Sequence, residues 1–356
     1  MIIMEPGASE SDIAAVIAEM RKYGMRTDIQ QDSGSVVIHV VGDQAAVPFG
    51  AFNGLPGVWR AESVNIPYRL INREYLRRNG AADIRRIIRA GNVTIGDGEP
   101  VFIAGPCAVE NRRQLFEIAD RVKMAGAHVL RGGIFKPRSS VHSFQGLGGG
   151  SRDQAEEALS WLREAGDAFE MPVITEVRGE TQVDLVARYV DILQVGTRNM
   201  YDQDLLGAVG RTGKPVLLKR HFGAGIEEFL SFAEYIAAEG NRDIMLCERG
   251  ILPIGKGKGF TRYTLDLAAI PVLHEETYLP VMADPSHATG RRDLVRSMSL
   301  AAVAAGADGL MIETHTDPEL SLVDAAQTII PEDLRDIIEA CRSMRRSSGR
   351  VASAVA

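Results

Sequence analysis

Ten residues concentrate the chemistry of this chain. Arg131-Gly132-Gly133-Ile134-Phe135-Lys136-Pro137-Arg138-Ser139-Ser140 gathers three cations and two hydroxyls in one short stretch. It follows His128-Val129-Leu130, a run that reads as a buried strand. The proline fixes a turn and breaks any helix. The two glycines are expected to let the backbone come close to a ligand. Guanidinium and ammonium groups at a strand end suit a small substrate that carries phosphate and carboxylate. A charge run is more often a solvated face, but here the cations alternate with Gly, Pro and Ser instead of forming a block.

Other apolar runs also end in chemistry. Strand-like segments at 101–104, 128–130, 173–176, 192–195, 216–219, 244–247, 281–283 and 309–312 terminate near Cys107, Arg131, Glu176, Arg198, Lys219, Arg249, His287 and Glu313 respectively. The set divides in two. Arg131, Lys136, Arg138, Arg198, Lys219 and Arg249 form a cationic surplus suited to phosphates and a carboxylate. Cys107, His287, Glu313 and Asp324 are metal-ligand types. Each has a bland reading: a small buried cysteine, a capping histidine, a glutamate paired with an arginine, a surface aspartate. Together they make a mixed sulfur, nitrogen and oxygen set, which suits Mn²⁺, Fe²⁺, Co²⁺ or Zn²⁺ better than Mg²⁺ or Ca²⁺.

Positioning such a ring needs a particular scaffold. Between the apolar runs lie helical patterns, for example at 153–169 and 226–238. Eight strands, each followed by a helix, predict a (β/α)₈ barrel over 100–346, a span near the ~250 residues usual for one. A doubly wound sheet is the alternative, with fewer strands and a reversal point. Residues 1–65 predict a separate α+β unit. A strand at 2–4 precedes a helix capped by Ser9, with Ile13, Val16, Ile17 and Met20 at helical spacing and Gly24 beyond its end. A hairpin around Asp32-Ser33-Gly34, a short helix near 45–52 and a strand at 58–64 complete a βαββαβ order, the ferredoxin-like pattern. Residues 66–99 read as a polar connector ending in a small hairpin that caps the barrel. The small, polar tail 347–356 is expected to be disordered.

The totals bound the rest. With 356 residues the chain accommodates one large and one small domain. A net charge of −7 argues against general binding to nucleic acid or membrane surfaces, so the basic residues must act locally. Three cysteines without a CxxC make no disulfide framework. With no basic, apolar leader and no run of membrane-spanning length, the cytoplasm is the default expectation.

The motifs Gly105-Pro106-Cys107-Ala108-Val109-Glu110, the 131–140 stretch, Ser143-Phe144-Gln145-Gly146-Leu147-Gly148, Gly196-Thr197-Arg198-Asn199, Leu217-Leu218-Lys219-Arg220, Cys247-Glu248-Arg249-Gly250 and Asp284-Pro285-Ser286-His287 resemble those of the 3-deoxy-D-arabino-heptulosonate 7-phosphate (DAHP) synthases. The form resembled carries an N-terminal ferredoxin-like domain. The resemblance covers residues 68 to 330, and the motifs occur in the same order.

It implies a metal-dependent condensation of phosphoenolpyruvate with erythrose 4-phosphate, the first step of the shikimate pathway. It implies that Cys107, His287, Glu313 and Asp324 hold one divalent ion. Arg131, Lys136, Arg198, Lys219 and Arg249 would bind phosphoenolpyruvate, and Arg138 and Ser139 the phosphate of erythrose 4-phosphate. Lys136 and Glu176 are proton-transfer candidates, with a water at the metal as the alternative that the sequence leaves open, and Cys107 and His287 complete the catalytic set that the resemblance implies. The loop 252–260 looks longer than the family pattern. A homotetramer is usual for such enzymes, and tyrosine or phenylalanine is the expected effector of the small domain. The rival within the resemblance is 3-deoxy-D-manno-octulosonate 8-phosphate synthase, which uses arabinose 5-phosphate. That enzyme resembles Lys-Ala-Asn-Arg-Ser where this chain has Lys136-Pro137-Arg138-Ser139-Ser140.

Overall fold

The computed structural model describes residues 1–32, 35–44, 47–63, 66–78, 85–136, 142–253 and 260–352. Its N-terminal unit runs β1 (Ile2–Met4), α1 (Glu10–Lys22), β2 (Arg26–Asp32), β3 (Ser35–Val41), α2 (Phe49–Phe52) and β4 (Val58–Ala61). The four strands form an antiparallel sheet in the order β2-β3-β1-β4. Ser9 caps α1 through a reciprocal pair of hydrogen bonds with Asp12, and Gly24 takes a left-handed φ of 72° just past its end. Val16 and Met20 bury against Ile2, Ile38 and Val40 on one face of the sheet.

The opposite face of that sheet corrects one expectation. The connector is not simply polar: Tyr68, Leu70, Ile71 and Leu76 are buried and share a core with Met1, Ile3 and Val37. It carries α3 (Arg73–Arg78). Its apolar residues follow no fixed period, so no pattern marks them in the sequence. Each contributes on the order of 1.5–3 kcal/mol by burial. Polar contacts add direction: Tyr278 Oη donates to Leu70 O at 2.8 Å, and Leu70 N donates to Glu234 Oε1 at 2.7 Å.

The hairpin of β5 (Ile88–Ala90) and β6 (Val93–Ile95) comes next. The barrel follows: β7 (Val101–Gly105), α4 (Arg112–Ala125), β8 (Val129–Arg131), α5 (Arg152–Ala168), β9 (Val173–Val177), α6 (Glu180–Ala187), β10 (Ile192–Val195), α7 (Gln203–Arg211) and β11 (Val216–Lys219). Then come α8 (Ile226–Ala237), β12 (Ile244–Glu248), α9 (Ala269–Glu276), β13 (Val281–Ala283), α10 (Pro285–Thr289), α11 (Arg292–Ala304), β14 (Gly309–Glu313) and α12 (Pro331–Ala352). All eight strands, β7 to β14, pair in parallel, and β14 closes on β7 with Glu313 opposite Gly105. The doubly wound alternative is excluded. The helix α12 continues into the tail expected to be disordered, ending at Ala352. Extending a nucleated helix fixes one residue per added bond, which is far easier than starting one. No helix among the described residues is long and apolar enough to cross a membrane.

Strand periodicity explains how the barrel makes both a core and a site. Outward residues such as Phe102, Leu130, Leu193, Leu218 and Leu310 join the helix-facing core. Inward residues Val129, Ile174, Ile192, Leu217, Met282 and Met311 pack together inside, closed below by Ile88, Ala90 and Ile95 of the hairpin. Two residues further along each of these strands or just past its end, on the same inward face, stand Arg131, Glu176, Gln194, Lys219, Asp284 and Glu313.

Candidate functional site

The inward charges border a cleft of about 240 Å³ at the C-terminal ends of the strands. Arg131, Lys136, Glu176, Arg198, Lys219, Arg249, His287 and Asp324 line it. Arg138 and Ser139 lie outside the described residues, as does the middle of the 252–260 loop.

Four donors converge on one side. The ligand atoms of Cys107, His287, Glu313 and Asp324 all lie within 4.8 Å of one another. Donors that share one metal at 2.0–2.3 Å stand up to about 4.6 Å apart, so the spacing fits. Glu313 Oε1 is sealed from solvent and makes no hydrogen bond, although Arg131 and His287 approach it at 3.3 and 3.1 Å. A buried carboxylate oxygen in that position suits a cation. Burial and the neighbouring Glu313 raise the Cys107 thiol well above its ordinary pKa. A metal ion would reverse that by binding the thiolate. Its sulfur accepts from Lys136 Nζ at 3.0 Å and donates to Asp324 Oδ2 at 3.2 Å. Asp324 holds a left-handed φ of 56°, an uncommon backbone state tolerated by aspartate.

Asp284 has no role in the sequence reading, yet it organises this cluster. Its side chain caps α10 by accepting from His287 N at 2.9 Å. It also accepts from His287 Nδ1 at 2.7 Å, which turns Nε2 toward Glu313 and Asp324. Lys219 Nζ donates to the same carboxylate. Burial alone would raise the Asp284 pKa, but His287, Lys219 and Arg131 outweigh it and hold it well below the ordinary range. Glu313 is likewise lowered, with His287 and Arg131 outweighing its burial. Gln327, also absent from the sequence reading, donates from Nε2 to Glu313 Oε2 at 2.5 Å.

The cations sort by partner. Lys136 is buried; burial opposes its charge, but Cys107, Glu176 and Glu313 raise its pKa, so it is an ammonium. Arg220 is a structural cation that pairs with Glu248 and Asp266 at 2.9 Å each. Arg249 is 5% exposed, and its Nη1 is buried without a hydrogen bond. Glu176 Oε2 accepts from Gln194 Nε2 at 3.1 Å, and its carboxyl fills the space beside Gly196, where a Cβ would lie 1.9 Å from Oε1. The glycines of the 131–140 stretch make room for protein groups: a Cβ at Gly132 would meet Val109 Cγ2 at 2.8 Å, and one at Gly133 would meet Cys107 O at 2.5 Å and Lys136 Cδ at 2.9 Å. The same close fit brings Lys136 onto the Cys107 sulfur.

Residues 77–347 match the DAHP synthetase I family, and residues 1–65 match the DAHP synthase ferredoxin-like domain. The phospho-2-dehydro-3-deoxyheptonate aldolase of Thermotoga maritima is 41% identical over 349 residues, 98% of both chains. The crystal structure of the Thermotoga maritima DAHP synthase aligns with a TM-score of 0.74, covering 98% of this chain and 97% of that one. A truncated form of the Thermotoga maritima enzyme aligns at 0.70, also 41% identical, covering 80% of this chain and 98% of that one. The 2-dehydro-3-deoxyphosphooctonate aldolase of Syntrophobacter fumaroxidans is 32% identical over 270 residues, 71% of this chain and 90% of its own length. With its barrel and its small domain both matched, this chain belongs to the DAHP synthetase I family.

Proposed function

We propose that the cleft condenses phosphoenolpyruvate with erythrose 4-phosphate and water to give 3-deoxy-D-arabino-heptulosonate 7-phosphate and inorganic phosphate. The observation that carries this reading is the four-donor cluster set directly against the buried cations Arg131 and Lys136. Cys107, His287, Glu313 and Asp324 hold one divalent ion, of the Mn, Fe, Co or Zn class by donor type. That ion supplies Lewis-acid polarisation of the aldehyde oxygen.

The chain's own residues do the rest. Arg131, Lys136, Arg198, Lys219 and Arg249 hold phosphoenolpyruvate, and Arg138 with Ser139 the phosphate of the aldose. They neutralise and orient anions that would otherwise repel one another. C3 of phosphoenolpyruvate attacks the aldehyde carbon and forms the new C–C bond. Water adds at C2, and phosphate leaves from C2 by C–O cleavage. Lys136, an ammonium against the Cys107 sulfur, gives a proton to the aldehyde oxygen in this reading, and Glu176 takes one from the water.

The same geometry would serve the longer aldose of the octulosonate enzyme. The sequence Lys136-Pro137-Arg138 favours erythrose 4-phosphate, because a stiff proline and an arginine one place earlier would seat the phosphate closer to the aldehyde. Residues 1–65 act as a regulatory unit that responds to tyrosine or phenylalanine, in a homotetramer. A cytoplasmic location suits a thiolate ligand, which must stay reduced.

The test is a coupled assay that follows loss of phosphoenolpyruvate absorbance. Turnover with erythrose 4-phosphate should far exceed turnover with arabinose 5-phosphate, vanish with chelator and return with Mn²⁺. Cys107→Ser should weaken metal retention, since a hydroxyl is a poorer ligand than a thiolate. Full activity in enzyme shown to contain no metal would refute the metal role, and preference for arabinose 5-phosphate would favour the rival.

A further inference from the structure

Arg249 is held differently from the other buried cations of the cleft. Arg131 approaches Glu313, Lys219 pairs with Asp284, Arg220 pairs with Glu248 and Asp266, and Lys136 meets the Cys107 sulfur. Among the described residues Arg249 makes no ion pair. Its guanidinium carbon lies instead 4.3 Å from the centroid of the Tyr263 ring. Phe222 stacks with that ring, with centroids 5.5 Å apart and planes 21° from parallel. A carboxylate partner takes up part of a cation's charge; an aromatic face fixes the guanidinium plane and leaves the donors for a ligand.

Tyr263 is itself anchored on two sides. Tyr263 N donates to Ala288 O at 2.8 Å, next to His287 in α10. Its neighbour Thr264 exchanges backbone hydrogen bonds with Ile251, just past β12, at 2.9 and 3.0 Å. Gly250 has a φ of +97°, and a Cβ there would lie 2.6 Å from Tyr263 Cβ. That glycine therefore admits the tyrosine to the position beside Arg249.

We propose that Tyr263, stacked with Phe222, is a positioning residue that sets the plane of the Arg249 guanidinium for an anionic group of phosphoenolpyruvate. This rests on reading the cleft as the phosphoenolpyruvate site. The unpartnered Nη1 of Arg249 is the donor so presented.

Calorimetric titration of the full-length chain with phosphoenolpyruvate alone tests it. Tyr263→Leu should bind about tenfold more weakly, in keeping with a desolvated cation–π contact. Tyr263→Phe should stay within about threefold of the unaltered chain, because the ring face is what acts. In steady state the KM for phosphoenolpyruvate should rise while that for erythrose 4-phosphate holds. In an Arg249→Ala background, Tyr263→Leu should add nothing further. If Tyr263→Leu does not fold, Phe222→Leu replaces it, with a smaller loss in the same direction expected. Unchanged binding by the leucine variant overturns the inference, as does equal loss in the phenylalanine variant or a full loss on top of Arg249→Ala. No binding by the unaltered chain overturns the reading of the cleft and the inference with it.

Discussion

At the scale of single residues, the cations of the cleft have unequal environments. Arg131 and Lys219 are buried against carboxylates, whereas Arg198 is exposed at the cleft edge. Arg198→Ala should therefore raise the KM for phosphoenolpyruvate while leaving the fold intact. Arg138→Ala should raise the KM for erythrose 4-phosphate instead. A contact to a charged phosphate is worth about 1.5–3 kcal/mol, or roughly ten- to hundredfold in KM. Steady-state kinetics with each substrate varied in turn checks this; equal effects on both would show the cations to be wrongly divided. The strand-end ring was legible because inward positions two residues above an apolar one carry the charge, as in Val129 then Arg131 or Met311 then Glu313. Asp284, Gln327 and Tyr263 were not legible as site residues. Each acts by a contact that only folding creates: on the His287 ring, on the Glu313 carboxylate, on the Arg249 guanidinium. Only Asp284, three residues before His287 and preceding a proline, left a sequence signal, that of a helix cap.

At the scale of elements, α8 and the connector meet through Glu234. Burial raises its carboxyl to about 7, against the pull of the backbone N–H groups of Leu70, Arg69 and Ile71. The folded chain thus holds this proton more tightly than the unfolded chain. Its contribution to stability is full below the ordinary value of 4.5 and is lost as pH rises to about 7. Burial lowers His39, on the small domain, to about 3, which acts with the opposite sign below its ordinary 6.5. Glu234→Gln keeps an oxygen to accept from Leu70 N and removes the titration. The variant should gain on the order of 2 kcal/mol over the unaltered chain at about pH 8 and much less at about pH 5. Thermal unfolding at both pH values checks it; a gain that does not change with pH would exclude Glu234 as its source. The alternation of strand and helix, the capping hairpin and the Ser9 cap were all readable from local patterns. The burial of Tyr68, Leu70 and Ile71 was not, since these residues are apolar without a period and are defined by the two surfaces they join.

At the scale of the whole molecule, the small domain and the chemistry are separate. The four candidate metal donors and the cations that line the cleft, among the described residues, all belong to the barrel, and residues 1–65 contribute none of them. The sheet of the small domain meets the connector and barrel through Met1, Ile3 and Val37, supported by ion pairs of Asp28 with Arg242 and Arg26 with Glu239. An apolar face of this kind would serve simple covering, but the polar contacts at its edge are of the sort that can break and reform. Interfaces between domains permit relative motion unless they are large and apolar. Under the proposed regulatory role, an amino acid inhibits only if it binds one arrangement of small domain and barrel more tightly than another. A chain beginning near Ile66 keeps the connector and every barrel residue named above. It should retain turnover while losing inhibition by tyrosine and phenylalanine, and it should be less stable, since removing Met1, Ile3 and Val37 uncovers Leu70 and Ile71. Inhibition curves of the two chains at matched metal content check this. If the full-length chain is indifferent to millimolar tyrosine and phenylalanine, the small domain's role is to cover the connector. If the shortened chain is inhibited as strongly as the full one, the effector binds the barrel.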